Sequence, residues 1–152
     1  MKKIYLDTNI YNRPYDDQLQ VRIRLETISI FEILKKVQSK ALPLVWSFIL
    51  DYENSLNPYE DIRTEIEMLS PLAFEHINAS EDIRQLAKQY AVKGIKPRDA
   101  LHLACAIKAK ADYFITCDDN IIRKSKGIDI SIKIINPVDF LRVWETNYEN
   151  TK

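Results

Sequence analysis

Five short apolar runs, at residues 2–6, 43–47, 73–77, 112–116 and 131–135, alternate with longer stretches of helical periodicity. Several of these runs lack polar alternation, which is how strands buried on both faces read. Such strands need cover above and below, and helices layered on a parallel sheet supply it. The pattern therefore predicts an α/β fold, a three-layer α/β/α sandwich around a mainly parallel five-stranded sheet. No repeat, linker or low-complexity segment interrupts it, so residues 1–152 read as a single domain.

The helical stretches carry their own punctuation. Residues 17–40 form the longest, with Val21, Leu25 and Ile28 starting an apolar stripe that Ile30, Leu34 and Val37 continue. That face is predicted to pack on the sheet or to meet a partner. Ser47 is placed to cap a helix over 48–56, which Asn57-Pro58 ends. Further helices are expected over 59–69, 80–92 and 97–110, the last opened by Pro97. Asp119 to Lys126 suggests a short helix, and Pro137 opens a final one.

Composition removes several function classes. The chain has only 2 glycines, too few for the clustered glycines that let backbone amides approach a phosphate. Its 2 cysteines, Cys105 and Cys117, show neither a disulfide framework nor the short ligand spacing of structural zinc. No apolar run approaches the roughly 20 residues of a membrane helix. The first acid arrives too early for a signal peptide, so a cytoplasmic protein is expected. Charge balances at 22 basic and 22 acidic residues, so distribution matters more than the total.

The acids are placed unusually. Asp7 ends the run Ile4-Tyr5-Leu6, and Asp118 follows Ile115-Thr116-Cys117. Glu53 lies in the helix after Ser47, and Asp99 lies in the first turn after Pro97. In parallel sheets, sites form outside the carboxyl ends of the strands, so these four converge if the first and fourth strands are neighbours. Clustered carboxylates repel by about 4 kcal/mol per pair at 4 Å and an effective dielectric near 20. A hard divalent cation relieves that repulsion, and such a site points to phosphodiester chemistry.

The segments Leu6-Asp7-Thr8-Asn9-Ile10, Ser47 with Glu53, Pro97-Arg98-Asp99-Ala100-Leu101-His102-Leu103-Ala104, and Ile115-Thr116-Cys117-Asp118 resemble, in order and separation, the PIN domain family. Its prokaryotic members include the ribonuclease toxins of toxin–antitoxin pairs. The resemblance implies that Asp7, Glu53, Asp99 and Asp118 hold one or two Mg2+ or Mn2+ ions and activate water. Asn9 and Thr116 would support them. It also implies an endoribonuclease leaving a 5′-phosphate and a 3′-hydroxyl, with an antitoxin partner and a homodimer as expectations. Two departures stand out: Tyr11-Asn12-Arg13-Pro14 replaces a more apolar segment, and Asn120 stands where many relatives carry another acid. Asp119 is thus an additional candidate ligand, and Asp51 competes with Glu53.

Basic residues flank the acids in sequence, and Arg13, Arg98 and Lys124 are the candidate phosphate contacts. His102 follows Asp99 by one helical turn, as a donor to a carboxylate or as a satisfied buried histidine. The competing function is a catalytically inactive RNA- or partner-binding module on the same fold.

Overall fold

The structure is a computed structural model, and it describes residues 2–150. Five parallel strands form one sheet: β1 (Ile4–Leu6), β2 (Leu44–Ser47), β3 (Glu75–Ile77), β4 (Tyr113–Ile115) and β5 (Lys133–Ile135). The sheet order is β3-β2-β1-β4-β5. Every residue of β1, β2 and β4 is buried, on alternating faces, so the centre of the sheet is covered on both sides. The sheet order reverses direction at β1, between β2 and β4, which is the switch point where such folds place their sites.

Among the described residues, eight α-helices supply the cover: α1 (Thr8–Asn12), α2 (Val21–Gln38), α3 (Phe48–Ser55), α4 (Glu60–Glu67), α5 (Glu81–Val92), α6 (Pro97–Lys108), α7 (Asp119–Ser125) and α8 (Pro137–Asn150). Two single 3-10 turns, Arg13–Tyr15 and Ser70–Leu72, join them. Local chemistry fixes the starts. The side chains of Asp7, Ser47, Ser80 and Asp118 each accept a backbone N–H at the opening of α1, α3, α5 and α7. Pro97 and Pro137 open α6 and α8, where a missing N–H costs nothing.

Helix α2 packs on α8, and α6 packs against α3 and α5. The small residues Ala100, Ala104 and Ala106 are buried in α6, as close approach to neighbours requires. The apolar stripe of α2 divides in two. Ile30, Ile33 and Val37 enter the core, but Val21, Leu25, Ile28 and Phe31 remain 59%, 52%, 56% and 51% exposed. The periodicity is therefore real, and its first half belongs to the surface.

Among the described residues, no helix is long and apolar enough to cross a membrane. Both cysteines are free and buried.

Candidate functional site: an acidic pocket at the switch point

Asp7 is the first residue past β1, and its N–H bonds the carbonyl of Ile115 at 3.0 Å, so the ends of β1 and β4 meet there. Its carboxylate is buried and held from several directions. Thr8 N donates to Oδ1 at 2.8 Å, Thr116 Oγ1 to Oδ2 at 2.8 Å, and Asn9 Nδ2 to Oδ2 at 3.2 Å. Asn9 also bonds Thr116 Oγ1 at 3.0 Å and accepts from Cys117 N at 3.0 Å. Thr116 Oγ1 accepts from Asp118 N at 3.1 Å. Asn9 and Thr116 thus tie the acid after β1 to the acid after β4.

Glu53 reaches the same place from α3. Thr8 Oγ1 donates to Glu53 Oε1 at 2.6 Å, and His102 Nε2 bonds that same oxygen. His102 Nε2 also lies 3.7 Å from Asp7 Oδ1. Arg98 Nη1 is 3.8 Å from Glu53 Oε2, and its guanidinium lies over the Tyr52 ring at 5.5 Å. Asp51 is engaged elsewhere, accepting from Trp46 Nε1 at 2.8 Å.

Asp99 occupies the first turn of α6 and, among the described residues, has no side-chain hydrogen bond or ion pair. Burial, then the charges of Asp7 and Asp118, push its carboxyl up to about 6. Burial also raises Asp7, against the opposing pull of His102 and Thr116. For Glu53, burial pushes upward, but the His102 bond and charge, with Thr8 and Arg98, hold it below the usual carboxylate range. The four predicted acids therefore share one electrostatic environment.

The chemistry of this donor set fits a hard divalent ion: the open groups are carboxylate oxygens, and the Asp99 carboxylate is not taken up by a hydrogen bond or ion pair among the described residues. Asp7, Glu53, Asp99 and Asp118 are the residues able to hold one. Among the described residues, no three acidic, histidine or cysteine side chains are drawn together as a finished cage.

The remaining sequence candidates are placed differently. Asp119 is exposed and turned to Arg22, with contacts of 2.7 and 2.9 Å that hold its carboxyl below the usual range. Arg13 pairs with Asp16 at 3.1 Å and with buried Glu26 at 3.3 Å. Lys124 is exposed, and its Nζ bonds the carbonyl of Gly94 at 3.2 Å, linking α7 to the turn before α6. Sequence reasoning assigned no role to Tyr5 or Thr8. Tyr5 OH lies 2.6 Å from both Ser47 Oγ and His102 Nδ1. A phenol inside an otherwise aliphatic buried run was the available signal, because such a group must find a partner.

A parallel sheet with acids gathered beyond its switch point defines the class: an α/β protein with an acidic pocket at the carboxyl edge of the central strands. A profile of the PIN domain matches residues 4–127, and the chain belongs to the PIN domain family. PIN domains are generally nucleases. No curated protein matches the sequence. Solved structures share the fold, and three of them illustrate the likeness. FitAcB from Neisseria gonorrhoeae aligns with 17% identity and a TM-score of 0.57, over 88% of this chain and 97% of that one. VapBC2 from Rickettsia felis, bound to a DNA fragment from its promoter, aligns with 20% identity and a TM-score of 0.57, over 88% and 98%. VapBC-1 from nontypeable Haemophilus influenzae aligns with 18% identity and a TM-score of 0.58, over 89% and 98%.

Proposed function

We propose that this chain is a single-domain, metal-dependent endoribonuclease and the toxin of a toxin–antitoxin pair, acting in the cytoplasm. The observation that carries the reading is the meeting of acids from distant stretches of chain: Thr116 bonds both the Asp7 carboxylate and the Asp118 backbone, Thr8 and His102 join Glu53 to the Asp7 side, and Asp99 stands in their field at the start of α6. Asp7, Asp99 and Asp118 would hold Mg2+ or Mn2+, with Glu53 as a further ligand or the group that orients water. When bound, the ion lowers the pKa of water and stabilises charge developing on the phosphate. The chain's own residues do the rest. Thr116 and Asn9 fix the oxygens of Asp7, Thr8 and His102 fix Glu53, and burial excludes bulk water from Asp7. Arg98 and Lys124, both exposed, would meet the RNA backbone. Arg13, with its ion pairs to Asp16 and Glu26, would be a lesser contact.

Likeness to the FitAcB and VapBC structures supports the antitoxin partner. The exposed half of the α2 stripe supplies an apolar surface for that partner or for a second copy of the chain.

The test is cleavage of single-stranded RNA with Mg2+ or Mn2+ by the wild type and by Asp7→Asn. Wild-type cleavage should fall at least 100-fold in the variant, on the order of 3 kcal/mol of lost transition-state stabilisation. Equal cleavage by the two proteins would refute the site. Absence of cleavage by either would favour an inactive RNA- or partner-binding module.

A further inference from the structure

Tyr5 is the middle residue of β1 and is wholly buried, as are Ser47 and His102 beside it. Their polar atoms form a continuous line. Ser47 Oγ lies 2.6 Å from Tyr5 OH, Tyr5 OH lies 2.6 Å from His102 Nδ1, and His102 Nε2 meets Glu53 Oε1. The direction of the line follows from what each group can give. Glu53 as a carboxylate only accepts, so His102 Nε2 must carry a proton. A protonated ring would put hydrogen on both nitrogens and reverse the Tyr5 bond, whereas a neutral imidazole has one N–H, so Nδ1 accepts and the Tyr5 hydroxyl is the donor in reach. With that proton committed, the Tyr5 oxygen accepts from Ser47. The Ser47 oxygen in turn accepts from Leu50 N at 3.4 Å, capping α3, the helix that carries Glu53.

We propose that Ser47, Tyr5 and His102 form a one-way hydrogen-bond string that fixes the Nε2–H tautomer of His102 and aims the Glu53 carboxylate into the acidic pocket. Tyr5 and His102 are thus positioning residues. The string rests on the nuclease reading only for what Glu53 does once it is aimed. Partners of this kind behind a ligand typically change metal affinity about 10- to 100-fold when removed.

The experiment has a metal-free arm and a metal arm on the full chain. Long-range nitrogen-15 spectra near neutral pH report which nitrogen of His102 carries hydrogen, and His76 is the only other histidine to assign. The wild type should show Nε2–H with Nδ1 bare, and Tyr5→Phe should lose that single tautomer. Manganese titration followed by spin resonance should then give about a tenfold weaker Kd for Tyr5→Phe. His102→Gln, which keeps a donor toward Glu53, should stay closer to the wild type than His102→Leu. A wild-type spectrum with hydrogen on Nδ1, or a Tyr5→Phe variant that keeps both tautomer and manganese affinity within twofold, would overturn the string. If the wild type binds no manganese, the nuclease reading fails, and the spectrum alone decides the string.

Discussion

Asp99 is held where its own charge is unwelcome, half-buried and within the field of Asp7 and Asp118. The consequence for stability has a definite sign. Its folded carboxyl keeps a proton up to about 6, whereas an unfolded aspartate releases it near about 3.9. Metal-free protein therefore loses stability as pH rises through that window, and the loss is complete above it. In chelator, Asp99→Asn should be more stable than the wild type by about 1–2 kcal/mol at pH 8, after discounting for partial exposure, and the gain should shrink toward zero at pH 4. Urea denaturation at the two pH values checks this, and an equal gain at both would contradict it. The acids themselves were legible in the sequence because each follows an apolar run or opens a helix. Of their helpers, Asn9 and Thr116 came from the resemblance and His102 was weighed, but Tyr5 and Thr8 were not legible. That Tyr5 faces Ser47 and His102 depends on β1 lying between β2 and β4, and no local pattern reports strand order. The same holds for Asp119, whose partner Arg22 sits 97 residues away.

At the scale of elements, the five strands and the longer helices were legible, because buried runs and caps are written locally. All five predicted strands are present and each is shorter than predicted, four of them at the N-terminal side alone. Helix α1 was missed: its five residues are too few to show a period, and the Asp7 cap doubles as a site residue. Helix α2 begins at Val21 and not near residue 17, after a 3-10 turn and a loop. What anchors that region is Glu26, 1% exposed, which faces Arg13 at 3.3 Å and Arg22 at 3.6 Å and accepts from Asn136 Nδ2 at 2.6 Å. It joins the 3-10 turn, α2 and the start of α8. Removing one member of such a buried group strands the others, so Glu26→Ala should cost about 3 kcal/mol by urea denaturation. A loss below about 0.5 kcal/mol would place this cluster among surface pairs. The exposed stripe of α2 should behave in the opposite way. Ile28 is 56% exposed, so Ile28→Glu should change stability by at most about 0.5 kcal/mol. It should nevertheless abolish any self-association or antitoxin binding, read by sedimentation. Unchanged association would remove the stripe from the interface.

For the molecule as a whole, topology is what turns scattered acids into a site. Because β1 pairs with β4 on one side and β2 on the other, Asp7, Asp118 and the helix bearing Glu53 arrive at one edge. Helix α6 adds Asp99 at its positive end, where the backbone dipole offsets part of the repulsion. The fold thus brings negative charge together at a cost in stability that an ion would repay, and the account stands on that ion. The most direct test is calorimetric titration of manganese into the wild type, Asp7→Asn and Asp99→Asn, each confirmed folded by its thermal melt. Saturable binding by the wild type, weakened at least tenfold in both variants, is the predicted result. Wild-type protein that takes up no manganese, or variants that bind it as well as the wild type, would contradict the account.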